Sequence, residues 1–310
     1  MPGPNRRVAM AMRPPTRAIV QALLVTFLWS TSWVLIKLGL RASLPAITFA
    51  GLRYSLAFLC LLPFVLVNPA HRAALRALSR AAWARLALLG IVFYVLTQGA
   101  QFVGLALLPA ATLTLLLNLS PIVVALFGIA LTVERPTRGQ WSGILLSAVG
   151  ALIYFYPLAL PAGQFVGLAV GGVGLLANAA SSLLGRRINR DGGLAPLLVT
   201  TVSMGVGGGL LLAVGATTQG FGRLGATQWL LVAWLAVVNT ALAFTLWNHT
   251  LRTLTAVESS VINNTMLPQI AVLAWVFLDE PLTVRQILGV ALVSAGTLVV
   301  SWRRAQRDEA

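Results

Sequence analysis

Charge is scarce in this chain, and negative charge scarcer still. Asp, Glu, Lys and Arg make up 9% of the 310 residues and only 7 are acidic, against about 25% charged in a typical soluble domain. With a mean hydropathy of +0.88, there is more apolar sequence than a soluble core needs, so the chain is expected to be integral to a membrane. Short alternation of polar and apolar residues is also missing, which excludes a β-barrel. The apolar runs, about 20 residues each, fit helices that cross a bilayer. A single cysteine, Cys60, excludes an intrachain disulfide. Two histidines, His71 and His249, leave little material for a metal or acid–base centre, so neither metal, cofactor nor enzymatic activity is expected. No phosphate loop of the kind that ends in Lys-Ser or Lys-Thr is present, which excludes ATP hydrolysis by that route. No span centre holds an Asp, Glu or His, which argues against tight proton coupling.

What is abundant is arginine, giving a net charge of +15. In a soluble protein this would suggest nucleic acid. Here the arginines cluster between apolar runs and read as topology signals, with no nucleic-acid partner. Apolar windows predict helices at Ala18–Leu38, Ala46–Val67, Trp83–Gly104, Ala111–Val133 and Thr137–Phe155. A second set falls at Gln164–Leu184, Pro196–Ala216, Gln228–Thr250, Val257–Leu278 and Thr283–Trp302. With the N-terminus inside, the clusters at Arg6–Arg17, Arg72–Arg85, Arg135–Arg138, Arg186–Arg190, Arg252 and Arg303–Arg307 all fall on the cytoplasmic side. The outside keeps Lys37, Arg41, Arg223 and Arg285. A missed helix would destroy this asymmetry, so ten spans with both ends cytoplasmic is the expected topology. The expected setting is the plasma (inner) membrane.

The second half repeats the first. Shifted by 146 residues, Trp83–Leu152 falls on Trp229–Leu298, with identities that include Leu108/Leu254, Ala110/Ala256, Asn118/Asn264, Glu134/Glu280, Gly143/Gly289 and Gly150/Gly296. These matches sit at boundaries and polar interruptions, where chance agreement between two greasy stretches is least. Five spans per half is an odd number, so the halves are expected to insert upside down relative to each other. Such repeats mark secondary transporters, whose site lies between the halves.

At these residues the chain resembles the EamA-type transporters of the drug/metabolite transporter superfamily. The first copy carries Phe27-Leu28-Trp29-Ser30, Lys37, the Pro45…Arg53 spacing, Leu108-Pro109-Ala110, Asn118-Leu119-Ser120-Pro121, and Glu134 before Gln140-Trp141-Ser142-Gly143. The second shows Trp247-Asn248, Leu254-Thr255-Ala256, Pro268 and Asp279-Glu280-Pro281-Leu282-Thr283. The resemblance implies an all-α membrane protein of ten transmembrane helices in two inverted five-helix repeats, around a central cavity, moving metabolites and often exporting them. The repeats are expected at 18–155 and 164–302, flanked by cytoplasmic segments at 1–17 and 303–310. The copies are not identical: Met204 stands where the second could echo Arg53.

A carrier needs polar groups near mid-membrane to replace the water of its substrate. The candidates are Trp29, Ser32 and Trp33 on the first span, Gln98 and Gln101 on the third, and Asn118 on the fourth. Asn178 on the sixth, Asn239 on the eighth and Asn264 on the ninth complete the set, with Arg53 on the second. Two readings stand for each polar side chain: cavity lining, or a hydrogen bond that glues neighbouring helices. Arg53 either attracts an anionic group such as a carboxylate or holds the fold through backbone carbonyls. Pro121 and Pro268 are either packing kinks or bends that let a gate open. Glu134 and Glu280 sit at span ends and read as capping groups. The glycine-rich faces suit close helix packing; they leave a homodimer open, though a monomer is sufficient. The function expected is secondary export of small metabolites such as amino acids, by alternating access, with the bilayer and a small-molecule substrate as partners. The alternatives are a non-transporting membrane partner or receptor on the same scaffold and, last, a membrane-embedded enzyme.

Overall fold

Apolar side chains recur along almost every turn of this sequence, so the helices form with no solvent face to preserve and are sorted by packing alone. The computed structural model describes residues 16–120, 122–123, 127, 138–156, 162–190, 194–222, 224–250, 254, 262–263 and 265–308. Pro121, Glu134 and Asn264 lie outside them, as do Arg223 and parts of the two stretches expected at Ala111–Val133 and Val257–Leu278.

The described residues are helical throughout, with no strand. Helices α1 (Thr16–Arg41) and α2 (Ala46–Val67) are followed by a short amphipathic α3 (Pro69–Arg76), then α4 (Arg80–Leu107) and α5 (Ala110–Leu117). The chain continues as α6 (Arg138–Phe155), α7 (Ala162–Arg190) and α8 (Pro196–Thr218). Helix α9 runs through Ala226–Ala236, Val237–Leu242 and Ala243–Thr250, and α10 (Met266–Leu278) and α11 (Val284–Asp308) end the chain. Among them, 6 helices are long and apolar enough to cross a membrane, and the stretches Trp141–Phe155, Met266–Leu278 and Val284–Val299 are shorter apolar helices. Many of their large apolar side chains face outward, such as Phe64 and Leu230, as a lipid-facing surface requires.

Glycines set the closest contacts. A Cβ placed on Gly150 of α6 would lie 2.8 Å from Leu292 Cβ and Val293 N of α11, and one on Gly296 of α11 would lie 2.6 Å from the Gly143 carbonyl oxygen of α6. On Gly289 it would lie 2.8 Å from the Gly150 carbonyl oxygen. Gly143 therefore meets Gly296 while Gly150 meets Gly289. Residue numbers rise on one helix as they fall on the other, so α6 and α11 are antiparallel. Because Gly143/Gly289 and Gly150/Gly296 are repeat-related pairs, the contact is reciprocal, as a local two-fold axis demands. Helices α2 and α8 also cross antiparallel, with Gly51 against Leu211–Leu212, Gly208 against Tyr54–Ser55 and Gly215 against Thr48.

Two irregularities recur with the same period. A π-helical stretch covers Ile91–Gln98 in α4 and another covers Val237–Leu242 in α9, and their first residues are 146 apart. In both, a threonine hydroxyl turns back to a carbonyl five residues earlier: Thr97 to Val92 at 3.0 Å and Thr240 to Leu235 at 2.8 Å. The second irregularity is a break. Helix α5 stops at Leu117 with turns at Asn118 and Leu119, and a turn at Thr265 precedes α10. Pro268 thus sits in the first turn of α10, where a missing N–H costs little. It is exposed rather than folded into the bundle, a different placement from the mid-span kink expected of it.

Candidate functional site

The polar side chains of α1, α4, α5 and α7 meet where the helices are interrupted. There they enclose a cavity of about 360 Å³, lined by Trp29, Ser32, Trp33, Arg53, Tyr54, Phe93, Thr97, Gln98, Gln101, Thr114, Leu117, Asn118, Ser120, Asn178, Phe244, Asn263, Met266 and Ile270. The volume lies within the range of small-molecule sites, about 300–1,000 Å³. Among the described residues no group of His, Cys, Asp or Glu could hold a metal ion.

Most of the polar groups have an assignable partner. The Tyr54 hydroxyl donates to Gln98 Oε1 at 2.6 Å, fixing that carboxamide across α2 and α4. Asn178 Nδ2 donates to Ser120 Oγ at 2.8 Å, joining α7 to the segment after α5. Asn118 Nδ2 turns back to the Thr114 carbonyl at 3.0 Å, capping the end of α5. Ser32 donates to the Trp29 carbonyl at 2.7 Å within α1. Gln101 is nearly buried yet carries no hydrogen bond among the described residues, so its amide is available to whatever occupies the space. The Trp29 ring packs tilted against Phe244 (centroids 5.4 Å) and Trp247 (5.2 Å), which gives the cavity an aromatic wall.

Arg53 is 4% exposed. Its Nε donates to Thr240 Oγ1 at 3.0 Å, and its guanidinium carbon stands 5.2 Å from the centre of the Tyr54 ring, within cation–π reach. A residue of the π stretch in α9 thus holds the cation of α2. Asn239, its neighbour, does not line the cavity. It is fully buried and bonds the Leu28 carbonyl and Thr31 Oγ1 of α1, so it glues helices behind Trp29. Gln269 does the same, accepting from Ser30 at 2.9 Å.

One end of the cavity is closed. Ile36, Leu105, Leu113 and Ala274, all fully buried, lie next beyond its lining residues on α1, α4, α5 and α10. Past this layer Lys37 Nζ donates to the carbonyls of Leu105 (2.6 Å) and Leu108, Glu280 Oε2 accepts from Ala110 N at 2.7 Å, and Arg41 donates to the Leu278 carbonyl at 2.7 Å. Cations stand on helix C-termini and the carboxylate on a helix N-terminus, the arrangement the helix dipole favours. Burial holds the Glu280 carboxyl above its ordinary value of 4.5, an effect that the Ala110 amide and the Lys37 charge partly offset.

Sequence reasoning missed Tyr54, Phe93 and Phe244. Only Tyr54 carried a signal, its adjacency to Arg53, since hydropathy gives an aromatic facing lipid and one facing a cavity the same weight. Of the expected site residues, Asn264 and Pro121 lie outside the described residues.

A long-helix bundle with polar groups gathered around a cavity, half-repeated in sequence and in its irregularities, defines a membrane transporter. The chain belongs to the EamA-like transporter family, whose model matches residues 16–156 and again 165–302. It is 25% identical over 207 residues to the uncharacterized transporter YyaM of Bacillus subtilis (strain 168), covering 64% of this chain and 67% of that one. It is 23% identical to the uncharacterized transporter YvbV of the same organism over 97% of each chain, and 29% identical to an uncharacterized transporter of Archaeoglobus fulgidus over 70% of this chain and 76% of the other. A protein of known crystal structure, 18% identical, shares the fold with a TM-score of 0.64 over 92% of this chain and 99% of its own.

Proposed function

We propose that the chain is a secondary exporter of small polar or amphipathic metabolites such as amino acids, working by alternating access in the plasma (inner) membrane. One observation carries this reading: a single cavity gathers Trp29, Ser32, Trp33, Arg53, Gln98, Gln101, Asn118 and Asn178 from five helices. It lies beside helix breaks at Asn118 and Thr265. Discontinuous helices beside a mid-membrane site are how carriers bring backbone groups to a substrate.

The full arrangement we propose is ten spans in two inverted halves with both termini cytoplasmic. The antiparallel, reciprocal packing of α6 on α11 and the paired π stretches support it. On that topology Lys37, Arg41 and Glu280 stand at the outer face, so the layer that closes the cavity separates it from the outside. Breaking the Lys37–Glu280 network and parting α1, α5 and α10 would open the outer path. A monomer suffices for this cycle.

The test is efflux from proteoliposomes holding the purified chain and an amino-acid mixture, read by mass spectrometry. Selective loss of one or a few compounds supports the reading. Loss no faster than from protein-free vesicles, for every compound, would overturn it.

A further inference from the structure

Arg53 is a permanent cation placed almost wholly out of water, and the residues around it do not neutralise it. Among the described residues its one hydrogen bond goes from Nε to the neutral Thr240 hydroxyl at 3.0 Å. Beneath it lies the Tyr54 ring. Among the described residues no carboxylate touches it; the one ion pair there is Lys37 with Glu280, at the far end of α1. A buried cation left unpaired is costly, and proteins keep one where something else supplies the counter-charge.

The geometry of the site says where that counter-charge goes. Thr240 and Tyr54 hold the guanidinium by its Nε edge and its face, while the side chain lines the cavity. That leaves the two terminal nitrogens, whose paired N–H groups match the two oxygens of a carboxylate. No second cation lines the cavity among the described residues, so a singly charged group is favoured over a phosphate dianion. Trp29 and Phe244, both lining the cavity and packed tilted on each other, offer an apolar surface for the rest of the molecule, with Trp247 against Trp29.

We infer that Arg53 anchors the carboxylate of the transported molecule, so that the substrate class is small organic anions or zwitterions with an apolar portion. This rests on the transport reading above and adds the chemistry that the site selects.

The probes are phenylacetate and its uncharged isostere phenylacetamide, with hexanoate and hexanamide as a second pair, titrated by calorimetry into the purified full-length protein. The wild type is expected to bind each carboxylate about tenfold or more tightly than its amide. In Arg53→Gln that preference should vanish, the carboxylates losing about tenfold more affinity than the amides. Arg53→Lys, which keeps the charge but loses the fork, should retain part of it. Equal affinity for acid and amide in the wild type, no binding of any probe, or equal weakening of both in Arg53→Gln would each overturn the anchor. Should Arg53→Gln fail to fold, the wild-type comparison and Arg53→Lys decide alone. The two readings fail separately: efflux of metabolites without preference for anions removes the anchor and keeps the transporter. Carboxylate-selective binding with no efflux of any compound keeps the anchor and removes the transporter.

Discussion

The Lys37 ammonium and the Glu280 carboxylate stand 3.9 Å apart, each on one side of the junction between α4 and α5. Lys37 takes the carbonyls of Leu105 and Leu108 where α4 ends, and Glu280 takes the Ala110 amide where α5 begins. Two residues 243 positions apart in sequence thus finish the two helix ends that meet at one junction. Glu280→Ala leaves the Ala110 N–H and the Lys37 charge unmet and should cost about 1–3 kcal/mol, read as a lower melting temperature in detergent.

The same carboxyl sets a pH dependence. Burial raises it in the folded state, so the folded chain binds this proton more readily than the unfolded one, and its contribution to stability declines as pH rises through the window above 4.5. Glu280→Gln cannot titrate. The melting temperature of the wild type minus that of Glu280→Gln should therefore fall as the buffer goes from about pH 4 to about pH 7. A difference that grows instead would mean that the Lys37 pair outweighs burial.

Helix crossings at glycine should be intolerant where backbone meets backbone. Gly150→Ala and Gly296→Ala place a methyl within 3 Å of the neighbouring helix, and overpacking of this kind costs about 1–3 kcal/mol. Gly172 and Gly209 have nothing within 4 Å. Alanine there should be neutral or gain up to about 1 kcal/mol from helix propensity. Thermal melts of the four variants check the contrast.

Two amides should part company. Gln101, without a partner in the cavity, should lose several-fold in transport when changed to Ala and keep its melting temperature, since one hydrogen bond is worth about 0.5–1.5 kcal/mol. Asn239, bonded to α1 behind the aromatic wall, should do the reverse in Asn239→Ala. Flux per molecule and stability, measured together, separate them. Equal loss of flux in both would show that distance from the cavity does not matter here.

Orientation is checked by labelling with an impermeant thiol reagent in a Cys60→Ala background. A cysteine placed between Arg72 and Arg85 should be shielded in intact cells, and one beside Arg223 should react. The opposite pattern would reverse the topology that arginine placement implies.

Much of the fold was legible because hydropathy reports length and depth directly. The helices α1, α2, α7 and α8 lie within a few residues of the windows read from sequence. Depth also pointed to the cavity, since Gln98, Asn118 and Asn178 stand mid-run where a bilayer tolerates polarity only against protein or water. What depth cannot give is azimuth. Asn239 is as central as Gln101, yet it turns toward the Leu28 carbonyl rather than inward. Tyr54 and Phe244 look like lipid-facing aromatics until α2 and α9 are packed. Neither π stretch has a sequence signature, and Pro268 marked a break in the helix rather than a bend within it.

The two π stretches carry one more consequence. An extra residue wound into a helix turns every side chain after it, so gaining or losing one demands compensation along the whole element. Here the same insertion stands at Ile91 and at Val237, in step with the residues that repeat at the same interval. Independent origin would need that costly event twice at matching places. The economical history is a single ancestral unit that already held the widened turn before its coding sequence doubled.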